Sequence, residues 1–185
     1  MSNELKSAAG LPITMHDLGL PTALEFWKDV VVPSYGAYLD DPSLRNTLTI
    51  ATWLWHLPEW MAQDKEFVAR HSLPGSYIEI RAEIRAKIPD FSVLGDISET
   101  AKHATRTQKA PTLLHLRSAS GRGGVGGYGL AGPIAYGSGQ FELIAQKRNG
   151  DSAWISNIIM STINIFSSNY FIEYSIDIMR SKPPT

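Results

Sequence analysis

A mainly α-helical fold is predicted: a helical bundle with a small antiparallel β-hairpin or sheet inserted before the last helix. Three observations carry this. Apolar residues recur at helical spacing over 22–105, the pattern switches to strict alternation after Pro111, and a long uncharged segment follows from 152 onward. One domain, 1–185, accommodates all of it, with the bundle at 22–105 and 156–180 and a glycine-rich β insertion at 111–155.

The first helix is placed at 23–39. Thr22 and Glu25 have the spacing of a capping box, and Leu24, Trp27, Val30, Val31, Tyr35 and Tyr38 make its inner side. Pro33 should kink it. Asp41 followed by Pro42 reads as a cap and first helical position. From there Leu44, Leu48, Ala51 and Trp55 advance in helical steps to Pro58, which bends or ends the helix. Ser76 and Glu79 repeat the capping-box spacing and open a helix through Ile88, lined by Ile80, Ile84 and Ile88. Asp90 caps the next, 91–105, with Phe91, Leu94, Ile97 and Ala101 inward. Strands follow at 112–118 and along FELIAQKR. Asn149-Gly150 turns the chain into a short strand around Trp154. Ser156 then caps a last helix at 157–180.

Composition narrows the chemistry. No cysteine is present, which excludes disulfides, zinc ribbons, iron–sulfur sites and thiol catalysis. The opening MSNELKSAAGLP lacks the apolar run of a signal peptide, so a cytoplasmic location is expected. Residues 152–172 carry no charge, but their serines, threonine and asparagines would be poorly solvated in lipid. A core helix with a polar stripe is expected there, and no membrane association.

Net charge is only −1, yet it is unevenly spread. Residues 22–66 hold seven acids against three bases, whereas 102–141 hold five bases and no acid. That basic stretch surrounds GRGGVGGYG, with two overlapping Gly-x-Gly-x-x-Gly frames, Gly121-Gly123-Gly126 and Gly124-Gly126-Gly129. A dinucleotide cradle needs a strand before the glycines and a helix after them. Here a strand pattern stands on both sides, and nine of the nineteen residues in 121–139 are glycine, so the frame arises cheaply. A strand connection is expected, with no nucleotide or other cofactor.

Two helical constellations are candidates for chemistry. On 91–105, Asp96, Glu99 and His103 share a face, with Lys102 beside them. On the preceding long helix, His56 lies between Trp53 and Trp60, with Glu59 near. If these helices face each other, His56 and His103 form a pair suited to acid–base work, with Asp96 and Lys102 as accessories. The other reading makes both histidines half-buried packing residues. No His-x3-His or His-Glu-x2-His spacing exists, and no metal is expected. His16, His71 and His115 stand alone and are read as surface or structural residues.

ATWLWHLPEWM on one helix and GDISETAKHATRT on a later one, followed by a strand and a Gly-Tyr-rich run, together resemble a group of bacterial helical proteins. More distantly, the pattern is similar to the HEPN superfamily of helical bundles, found in bacterial defence and toxin systems. The resemblance spans 22–180 and implies a bundle that commonly forms homodimers. HEPN ribonucleases use an arginine five to seven residues before a histidine, and no histidine of this chain has one. The resemblance therefore supports the fold and weakens cleavage.

The expected function is a non-catalytic interaction module that binds a protein partner or itself. A ribonuclease-like or phosphodiesterase-like enzyme using His103 and His56, independent of metal, is the alternative from another class. A third reading is an RNA-binding module in which Arg106, Lys109, Arg117 and Arg122 meet phosphates and Tyr128 and Tyr136 stack on bases.

Overall fold

The computed structural model describes Gly19 and residues 21–102, 113–120 and 141–174. It is a helical bundle with a small antiparallel sheet before the final helix, as the sequence predicts. Helix α1 (Ala23–Phe26) passes through a π-helical turn (Trp27–Val31) into α2 (Val32–Asp40); α3 (Leu44–Gln63), α4 (Lys65–His71), α5 (Tyr77–Lys87) and α6 (Phe91–Lys102) follow. Strands β1 (Leu113–Ser120), β2 (Phe141–Lys147) and β3 (Ser152–Trp154) precede α7 (Ile155–Asn169) and a 3-10 turn (Ile172–Tyr174).

The Thr22 capping box forms: the Glu25 amide donates to Thr22 Oγ1 at 3.2 Å, and the Thr22 amide donates to Glu25 Oε2 at 2.8 Å. Pro33 follows a π-helical turn. The chain widens just before it, where the Val32 amide bonds to the Trp27 carbonyl five residues back. A wide turn at this point makes room for a ring that cannot donate and would crowd the preceding turn. It also re-phases the helix. Trp27, Val31 and Tyr38 are buried as expected, but Leu24, Val30 and Tyr35 are half-buried, while Ala23 and Phe26 join the core.

Helix α3 starts two residues later than Asp41-Pro42 implied. Ser43 is its cap, accepting from the Asn46 amide, and Asp41 is held by the Asn46 side chain instead. Pro58 does not end it; the helix continues to Gln63. Short α4 was not anticipated. Asp64 caps it through Phe67 and also receives the Ala23 amide, tying the start of α1 to this corner. Ser72 closes it in the left-handed conformation, at φ 51°.

In α5 the expected face is buried at Ile80, Ile84 and Ile88, though Ser76 makes no side-chain cap. Phe91, Leu94 and Ile97 of α6 are fully buried, and α6 lies along α3. Asp90, expected as a cap, places Oδ1 on Lys147 Nζ at 2.8 Å, fastening the sheet to the head of α6.

The sheet runs β1-β2-β3, antiparallel throughout. Its hairpin turns at Asn149-Gly150, with Gly150 at φ 91°, a conformation that glycine adopts without strain. Buried Leu143 and Ala145 alternate with half-buried Ile144 and Gln146. Helix α7 buries Ile155, Ile158, Ile159, Ile163 and Phe166 and exposes Asn157, Ser161, Asn164 and Ser168, the expected polar stripe. It begins at Ile155 after Trp154, so Ser156 is a buried helical residue and not the cap. It also ends at Asn169, short of 180. The Ser167 and Ser168 hydroxyls donate back to the Asn164 carbonyl, competing with the ladder, and Phe171 turns inward to stack on Trp27 at 4.6 Å. No helix among the described residues is long and apolar enough to cross a membrane.

Candidate functional site

The polar group that joins the helices is built on α3. His56 and Glu59 are one turn apart, and His56 Nδ1 lies 2.9 Å from Glu59 Oε2. A carboxylate only accepts, so Nδ1 carries a proton. The other ring nitrogen, Nε2, is 3.2 Å from Ser98 Oγ on α6, and Ser98 is fully buried. In the neutral ring the Ser98 hydroxyl donates to Nε2. Arg81 of α5 completes the group: its Nη2 donates to Glu59 Oε1 at 2.7 Å and to the Trp55 carbonyl at 2.8 Å.

The Trp55 carbonyl that Arg81 reaches lies on the turn of α3 that runs into Pro58. The guanidinium also lies over the Trp55 ring at 3.9 Å and over Tyr77 at 4.9 Å. Gly95 of α6 leaves the notch that the Trp55 indole fills; a Cβ there would stand 2.7 Å from the indole carbons. Charge, ring and notch therefore hold α3, α5 and α6 together.

Burial alone raises the Glu59 pKa. The His56 hydrogen bond and charge, with the Arg81 charge and hydrogen bond, outweigh it and hold the carboxyl below its ordinary 4.5. Burial, partly offset by Glu59, lowers the Arg81 pKa. With the folded Glu59 pKa below the unfolded one, the associated stability is complete above about pH 4.5 and is lost as pH falls through the folded value. In urea titrations at several pH values, Glu59→Gln should be less stable than wild type at pH 7. It should also lose less stability between about pH 5 and pH 3. A wild-type acid limb unchanged by this substitution would remove Glu59 from the account.

The helices that were to bring His56 and His103 together do lie side by side. His103 itself falls outside the described residues, as do Arg106, Lys109, Arg122, Tyr128 and Tyr136 and the glycine run. Lys102 is the last residue of α6, and Arg117 stands opposite Ile144 in the β1–β2 ladder. Asp96 is in mid-α6, 3% exposed. The glycine segment links two adjacent antiparallel strands, whose paired ends are Ser120 and Phe141. His71 ends α4 with its ring 4.3 Å from Phe67; burial, then Arg70, lowers its pKa.

Neither Ser98, the partner of His56, nor Arg81, the partner of Glu59, is marked by the sequence motifs. Each sits within the apolar stripe of its helix, Arg81 between Tyr77 and Ile84 and Ser98 four residues after Leu94. A polar residue in an apolar stripe is the signal that would have marked them. Among the described residues, no three His, Cys, Asp or Glu side chains are grouped to hold a metal ion. No protein-family model, curated protein or solved structure matches the chain.

Proposed function

We propose that the chain is a non-catalytic interaction module that binds a protein partner or itself. The observation that supports this best is the engagement of His56. Both of its ring nitrogens have partners inside the fold, and the hydroxyl on Nε2 belongs to a fully buried serine. A carboxylate on Nδ1 and a serine on Nε2 is also the connectivity of a serine–histidine–acid triad, but a nucleophile must reach its substrate, and the Ser98 hydroxyl is closed off from solvent. In this setting His56 clamps α3 to α6, with Arg81 neutralising Glu59 behind it. A bacterial defence or toxin-type setting and a HEPN-like ancestry belong to the same proposal. They rest on the motifs of α3 and α6, while the missing arginine supports the non-catalytic part of the reading.

The test compares wild type with His56→Ala. Loss of the clamp should lower the melting temperature by about 3–6 °C, and neither protein should cleave RNA or a model phosphodiester. Cleavage by the wild type that His56→Ala abolishes, in a variant that keeps its circular dichroism, would overturn the proposal in favour of the phosphodiesterase reading. RNA binding that falls steeply with salt and survives the substitution would favour the RNA-binding reading instead.

A further inference from the structure

The turn between β2 and β3 carries a reactive pair that neither the clamp nor the core uses. Asn149 is exposed, and it is the one asparagine of the chain that precedes a glycine. Asn46, Asn157, Asn164 and Asn169 lie within α3 and α7 and precede Thr47, Ile158, Ile165 and Tyr170, whose branched or aromatic side chains crowd their own amide nitrogens. Gly150 sets no such obstacle.

Hydrogen bonds orient the pair. The Asp151 amide donates to Asn149 Oδ1 at 3.1 Å, and Asn149 Nδ2 donates to Asp151 Oδ2 at 2.7 Å. The first of these places a donor on the atom that gains negative charge when the side-chain carbonyl is attacked. The attacking nitrogen is the amide of Gly150, which donates to the Lys147 carbonyl at 3.1 Å. Attack therefore waits until the turn opens.

We propose that Asn149 is a site of self-modification, where the Gly150 nitrogen closes on the Asn149 side chain and the product loosens the β2–β3 hairpin. Water or hydroxide takes the Gly150 amide proton, the nitrogen bonds to Asn149 Cγ, and Nδ2 takes up a proton and leaves as ammonia. A five-membered succinimide remains. Water then reopens the ring, giving aspartate when it adds at Cγ and isoaspartate when it adds at the main-chain carbonyl of residue 149. Aspartate sets a second carboxylate where Nδ2 met Asp151, and Lys147 Nζ, 3.9 Å from Asp151 and already bound to Asp90 at 2.8 Å, offsets the repulsion only in part. Isoaspartate lengthens the main chain by a methylene, so the Gly150 amide and Lys147 carbonyl no longer match, and that turn sets the strand register. The site is independent of whatever the chain binds.

Ageing the full chain at about pH 7 and about pH 8, followed by peptide mass spectrometry and labelling with isoaspartyl methyltransferase, tests the proposal. The peptide holding Asn149 should gain about one mass unit and become a methyl acceptor, faster than any peptide from α3 or α7. The rate should rise about tenfold between the two pH values, because only the deprotonated amide attacks. Aged protein should melt about 2–4 °C lower than fresh protein. Asn149→Gln would need a six-membered ring and should resist ageing in both readouts; should it disturb the turn, Asn149→Ser keeps an acceptor for the Asp151 amide and serves instead. Conversion no faster at Asn149 than at Asn157 or Asn164 overturns the site. Complete conversion with an unchanged melting temperature overturns the loosening.

Discussion

Replacing Arg81 with alanine should reduce the unfolding free energy by about 2–4 kcal/mol, the largest single loss expected of a polar substitution here. Four contacts go at once, the one over Tyr77 at 4.9 Å among them. Glu59 loses its cation at 2.7 Å, the Trp55 carbonyl loses its donor at 2.8 Å, and the Trp55 ring loses the guanidinium at 3.9 Å. The Arg81 side chain is only 9% exposed, so water does not simply take its place, whereas Glu59 at 34% keeps some solvation and limits the cost. Arg81→Met keeps the stem over the indole without the charge and should fall between wild type and alanine. Chemical denaturation reads both. A change within about 0.5 kcal/mol for alanine would mean that the group is peripheral.

Gly95→Ala is the second. Helix propensity alone would make it stabilising by about 1 kcal/mol. The structure reverses the sign. The new methyl would meet the Trp55 indole at 2.7 Å, and that ring cannot retreat freely, with Phe91 5.2 Å away and Arg81 against it. Overpacking of this kind costs about 1–3 kcal/mol, so a net loss is expected. Combining it with Trp55→Leu should recover part of that loss, because the smaller side chain vacates the notch, and a double-mutant cycle measures the coupling. Gain of stability in the single variant would refute the α3–α6 packing described above.

These two residues also mark where sequence reasoning succeeds and where it stops. The isoleucines of α5, the apolar series of α6 and the polar stripe of α7 were readable because a 3.6-residue period depends on one helix alone. Helix α4 escaped notice because its seven residues hold their apolar positions, Phe67, Val68 and Ala69, in one run that shows no period. Pro58 does not end α3, because its lost hydrogen bond is local, while the 20-residue helix around it is held by packing at Leu54, Leu57 and Met61. In the site, His56 and Glu59 were marked by residue type. Arg81 and Ser98 were not, since their roles depend on how far each helix is slid and rotated against α3. Gly95 drew no attention either; its meaning lies in a neighbour forty residues earlier.

The β1–β2 ladder holds one practical consequence. Ser120 and Phe141 face each other across a strand spacing of about 5 Å, so the sequence joining them departs from and returns to nearly one point. Lengthening a connection with adjoining ends adds closure entropy only logarithmically, about 0.6 kcal/mol per doubling. An epitope, a reporter protein or a protease site spliced between these strands would leave their pairing geometrically undisturbed, offering a handle for capture that spares both chain termini.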